Sequence, residues 1–92
     1  MSDRASQYFK TAGAATTQIK TGRGRLRRLT FNTPVASSTV KLIDGTSGTT
    51  ANIGTVTNTT DVKPYFLDFN IIFMNGLRIV TSGADDITIS YE

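Results

Sequence analysis

From Tyr65 to Phe73 every odd position is apolar: Tyr65, Leu67, Phe69, Ile71 and Phe73. A two-residue period puts all five side chains on one face of an extended strand, which a helix cannot do. The even positions hold Asp68 and Asn70 but also Phe66 and Ile72. The pattern predicts a core strand over residues 64–74, with one fully buried face and one mixed face. Asn75-Gly76 follows and supplies the positive-φ residues of a type I′ turn, so residues 77–81 are expected to return antiparallel as the second arm of a hairpin. Near the C-terminus Ile87, Ile89 and Tyr91 alternate with Thr88 and Ser90, a second clear strand.

Shorter runs with strand character occupy residues 16–21, 26–32, 38–43 and 51–57, separated by turn signals at roughly even spacing. Thr, at 16 copies the commonest residue, favours strands, while Gly and Ser favour the links between them. Seven strand runs and no helical pattern give an all-β domain, a sandwich or a barrel. In residues 26–32 the apolar set changes parity between Leu26 and Leu29, which predicts a bulge near Arg27-Arg28. Residues 1–14 show no period and read as an extended N-terminal arm, leaving 15–92 as the β domain. Its aromatic pair, Tyr8-Phe9, is the natural anchor, either on its own core or on a neighbouring subunit. Removal of residues 1–12 is expected to leave the domain folded.

A chain of 92 residues buries roughly 60 to 65% of its unfolded surface, which leaves stability modest without a further staple. There is no Cys for a disulfide or thiolate metal site, and no His as metal ligand or general base. Oligomerisation is the remaining source of added stability. Without His or Cys the usual nucleophilic triads cannot be built, and no phosphate-binding glycine loop is present. The one close carboxylate pair, Asp85-Asp86, reads as a solvated hairpin tip, since the ligand spacing of a calcium loop is missing. Asn58-Thr59-Thr60 matches a glycosylation sequon by chance in a Thr-rich chain. The expectation is a non-enzymatic protein with no cofactor, no metal and no catalytic residue. Residues 1–10 are polar and the longest apolar run is 71–74, so no secretory signal or membrane span is expected and synthesis is placed in the cytoplasm.

Charge is unevenly placed. The first 28 residues hold Arg4, Lys10, Lys20, Arg23, Arg25, Arg27 and Arg28 against Asp3 alone, about +6; the other 64 sum to about −3. Four guanidiniums between residues 23 and 28 cannot all be buried without partners. Three readings stay open: protection of a strand edge against aggregation, contact with an acidic protein surface, or neutralisation of nucleic-acid phosphates. Against the last, no aromatic residues interleave with the arginines to stack bases. The candidate partner-binding residues are Arg4, Tyr8, Phe9, Lys10, Arg23, Arg25, Arg27 and Arg28.

The segments TTQIKTG (residues 16–22), LRRLTFNTP (26–34), VKLIDGT (40–46) and GLRIVTSGADDITISYE (76–92) resemble a group of small tailed-bacteriophage virion proteins of the capsid decoration, or cement, type. The resemblance covers nearly the whole chain, and its motifs are hydrophobic patterns and turns. It implies a small antiparallel β-sandwich, jelly-roll-like, of about seven strands, with an extended N-terminal arm. It also implies a structural virion protein on the capsid surface that bridges major capsid protein subunits. The protein would associate with itself as a homo-oligomer, a trimer ahead of a dimer, and would meet no membrane and no specific nucleic acid. A neck, tail or fibre component is the alternative within virion proteins. A single-stranded nucleic-acid-binding β-barrel is the alternative from another class, though such a barrel normally has five strands and a helix.

Overall fold

The computed structural model describes residues 7–59 and 63–92. Among these it contains eight strands and no helix: β1 (Gln7–Ala12), β2 (Ala15–Thr21), β3 (Gly24–Thr33), β4 (Thr39–Asp44), β5 (Gly54–Thr57), β6 (Tyr65–Phe73), β7 (Gly76–Thr81) and β8 (Asp86–Tyr91). They form two antiparallel four-stranded sheets, ordered β1-β8-β3-β6 and β2-β7-β4-β5. The fold is therefore all-β, a sandwich with jelly-roll strand order. Its logic is nested pairing: β1 with β8, β2 with β7, β3 with β6, β4 with β5. The chain is one long hairpin rolled up, so that successive strands alternate between sheets everywhere except at β4–β5.

All seven expected strands are present, and the eighth is β1. Residues 7–12, expected as part of an extended arm outside the β domain, form an edge strand along β8, with Phe9 opposite Ile89 and Thr11 opposite Ile87. The adjacent aromatics Tyr8-Phe9 conceal the period in the sequence, because they take opposite faces of the sheet.

The core comes almost entirely from the four inner strands. Leu26, Leu29 and Phe31 (β3) and Ile87 and Ile89 (β8) face Val40 and Leu42 (β4) and Leu77 and Ile79 (β7), all buried. Thr39–Asp44 and Gly76–Thr81 have this regular inward set because each lies between two hydrogen-bonded neighbours.

β6 corrects the expectation of a core strand. It lies at the edge of its sheet, paired only with β3, so its apolar row is incompletely covered. Phe73 is fully buried, Tyr65 and Phe69 are partly buried against the core, and Ile71 is exposed. Tyr65 stacks on Phe31 with ring centroids 4.7 Å apart. Asn70, at φ 52°, interrupts the strand where the β3–β6 register slips. The expected bulge at Arg27-Arg28 is there: the register shifts between Leu26 and Arg28 against both β6 and β8.

The Asn75-Gly76 hairpin does not form. β6 and β7 belong to different sheets, and the two residues turn the corner between them. The physical reason is Asp44, whose carboxylate accepts the backbone N–H groups of Met74 (2.9 Å), Asn75 (2.8 Å) and Gly76 (3.3 Å). Asn75 O accepts from Gly22 N and Gly76 O from Gly45 N, so these groups are committed away from a β6–β7 ladder. Gly76 is required by crowding: a Cβ there would lie 2.8 Å from Lys20 O and 2.9 Å from Gly45 O.

Candidate docking face

In an antiparallel sheet, paired residues share a face. The register across the β1-β8-β3-β6 sheet therefore assembles its outer surface row by row. One row reads Tyr8, Ser90, Arg28, Asp68; the next reads Lys10, Thr88, Thr30, Phe66. A third pairing sets Arg25 beside Ile72. Arg27, the residue at the bulge, is also exposed here. Five of the candidate residues, Tyr8, Lys10, Arg25, Arg27 and Arg28, thus meet on one face although they come from two strands far apart in sequence.

Three others do not join them. Phe9 points the opposite way from Tyr8 and packs against the core, whereas Tyr8 is 72% exposed. Arg23 sits in the β2–β3 link at the end of the sheet. Arg4 lies outside the described residues.

The charged groups on this face are largely matched within the chain. Arg28 holds Asp68 with two prongs, Nε donating to Oδ1 at 2.6 Å and Nη2 to Oδ2 at 3.3 Å. Its guanidinium also covers the Phe66 ring, 4.0 Å from the centroid. Arg27 pairs with Glu92, and Lys10 Nζ lies 2.9 Å from Asp86 Oδ1. Arg25 donates to Asn70 Oδ1 at 3.1 Å. The Arg28 hydrogen bond lowers the Asp68 carboxyl below the ordinary value and raises the guanidinium in turn; the bond from Lys10 lowers the Asp86 carboxyl. Of these, the exposed Arg28–Asp68 and Lys10–Asp86 pairs contribute little to stability. Their effect is to hold the long side chains in place.

Two exposed apolar residues missed in the sequence, Phe66 (52% exposed) and Ile72 (45%), complete the face. The period of β6 assigned them to its mixed side; that this side is open depends on β6 being an edge strand, which no local pattern shows.

At the opposite end of β3, Asp85 corrects a further expectation. It is 1% exposed and no hairpin tip. Its Oδ2 accepts from Val35 N (2.9 Å), Ser38 Oγ (2.8 Å) and Asn58 Nδ2 (2.9 Å), and Tyr65 Oη donates to Asn58 Oδ1. Burial pushes the Tyr65 hydroxyl up, and the charge of Asp85 adds to it. The network ties the links before β4, after β5 and before β8 into one polar plug. Asn58 is a buried member of it, so the sequon has no accessible side chain.

Among the described residues no group of three acidic side chains is placed to hold a metal ion. What the face offers is an amphipathic surface of aromatic and aliphatic groups between fixed charges, with a concavity of about 470 Å³ between Arg27, Arg28, Asp68, Asn70 and Ser90. Compared with protein-family models, with curated proteins and with solved structures, the chain finds no match.

Proposed function

We propose that this chain is a non-enzymatic structural virion protein, a capsid decoration protein that binds major capsid protein subunits through the outer face of the β1-β8-β3-β6 sheet. The observation that carries the proposal is the convergence there of Tyr8, Phe66 and Ile72 with Lys10, Arg25, Arg27 and Arg28. Exposed aromatic residues and arginines are the side chains that supply most binding energy in protein interfaces. Jelly-roll strand order, which recurs in viral capsid domains, supports the reading at the level of fold analogy. A protein that binds only the assembled shell stabilises it by mass action, bridging subunits that internal pressure would separate. The same face fits a neck, tail or fibre site equally well. Self-association into a homo-oligomer is part of the proposal.

One observation favours a second reading. Tyr8 and Phe66 place aromatic rings among the arginines, an arrangement that single-stranded nucleic acid uses for stacking. Asp68, Asp86 and Glu92 alternate with those cations, however, and a phosphate backbone would be repelled by them.

The test is reconstitution on capsids purified from a virus deleted for this gene. The protein is expected to co-sediment with them at physiological salt, and Arg28→Glu with Phe66→Asp is expected to cut occupancy at least tenfold without loss of fold. Absence from the capsids, together with tight and steeply salt-dependent binding of oligo-dT, would establish the second reading instead.

A further inference from the structure

We propose that a cleft at one end of the docking face receives a carboxylate-rich peptide segment of a partner protein. The cleft, about 460 Å³, is lined by Lys20, Arg23, Gly24, Arg25, Ile72 and Glu92. It lies where β2 crosses to β3, beside the end of β6. Its cations include Arg25 of the open face but, unlike Lys10, Arg27 and Arg28, none of them is paired with a described carboxylate. The ammonium of Lys20 and the guanidinium of Arg23 have no hydrogen-bond or ion-pair partner among the described residues, and Arg25 reaches only the neutral Asn70. The carboxylates of the described residues are engaged: Asp44 by three backbone N–H groups, Asp68 by Arg28, Asp86 by Lys10, Asp85 inside the polar plug and Glu92, which lines the cleft, by Arg27. Three cations that no carboxylate of the described residues engages therefore converge on one concavity, and a carboxylate of a partner would complement them.

The cleft is shaped as well as charged. A Cβ on Gly24 would run into the Glu92 carbonyl oxygen and the Phe73 ring, and would lie 2.9 Å from Lys20 Cε. Glycine here lets the Lys20 stem cross the strand and keeps the floor open. Ile72 forms an aliphatic wall and no aromatic ring lines the cleft, so it suits an aliphatic side chain between carboxylates better than a stacked base. Guanidiniums accept carboxylates with two parallel hydrogen bonds, which fixes the register of the segment. A two-fold contact of the cleft with itself would bring like charges together, which favours a different, acidic partner.

The proposal deepens the capsid reading, since the segment would belong to the shell protein, but it can be tested apart from it. A labelled, end-blocked octapeptide alternating aspartate and valine is titrated against the intact protein by fluorescence anisotropy. Its asparagine–valine counterpart and oligo-dT are run alongside. The acidic peptide is expected to bind at least tenfold tighter than the neutral one. Binding is expected to weaken at least tenfold in the Lys20→Gln, Arg23→Gln, Arg25→Gln triple variant and when salt rises from roughly 50 to 300 mM. Lys41→Gln, on the other sheet, leaves it unchanged, and circular dichroism checks the fold of each variant. Equal affinity for the two peptides, an unaffected triple variant or tighter binding of oligo-dT overturns the proposal. Capsid binding that survives the triple variant sinks the cleft and keeps the shell reading. Peptide binding without capsid binding does the reverse.

Discussion

A buried carboxylate that takes donors from two other links makes Asp85 the residue on which one end of the sandwich depends. Asp85→Ala would leave the Val35 amide without its acceptor and take one acceptor each from the Ser38 hydroxyl and the Asn58 amide, which keep Val35 O. The expected cost is about 2–4 kcal/mol, read by urea denaturation; a loss below about 1 kcal/mol would show that solvent reaches the plug. Asp44 acts at the other end, and its effect depends on pH. Partial burial pushes its carboxyl up, but the N–H bonds from Met74, Asn75 and Gly76 outweigh this and hold it below the ordinary value. A carboxyl depressed in the folded state stabilises above its unfolded value and loses that contribution as pH falls through the folded one. Thermal melts should be flat above about pH 5 and fall below about pH 4, and Asp44→Asn should lower Tm by roughly 5 °C at neutral pH with the gap closing near pH 2. A gap that persists in acid would mean that Asp44 acts through shape and not charge. Neither role was legible in the sequence. Asp85 and Asp86 look alike as letters, and only the links that fold over Asp85 set them apart.

At the scale of elements, alternation located the strands and neighbouring strands decided what each one does. Ile87, Ile89 and Tyr91 were readable as an inward row because β8 has partners on both sides. The stronger row of β6 misled, since an edge position leaves its apolar side chains partly uncovered and its even side open. Asn75-Gly76 misled for a related reason: the dipeptide permits a tight turn, and the Asp44 bonds select a different one. The bulge at Arg27 was legible because a parity change within one strand is local. β1 is where the revised reading makes a sharp prediction. Phe9→Ala should cost about 2 kcal/mol, since its ring packs on the core, while Tyr8→Ala should stay within about 0.5 kcal/mol yet reduce capsid occupancy. Removal of residues 1–12 would strip β8 of a neighbour and lower Tm, contrary to the expectation from sequence that the domain stays intact.

For the whole molecule, nested pairing makes most contacts long-range, and that is why strand order was beyond local patterns and only the resemblance suggested it. The basic end and acidic body of the sequence also look different once folded. Lys10, Arg27 and Arg28 are matched by Asp86, Glu92 and Asp68 of that body within one chain, so the homo-oligomer cannot be argued from charge alone. It rests on the modest core of a chain this small. Light scattering at micromolar concentration is expected to give a multiple of the 9.9 kDa chain mass, and a monomer that persists on the capsid as well would remove self-association from the proposal. The outermost pair of the roll has one more consequence. Gln7 lies opposite Tyr91, so the chain enters and leaves the domain side by side, with Cα atoms ~5 Å apart. Tension applied at Gln7 and Tyr91 would load the β1–β8 hydrogen bonds one after another and peel them open in sequence. A load entering through the outer face is shared by four strands at once. The domain yields when pulled by its ends and resists when held by its face.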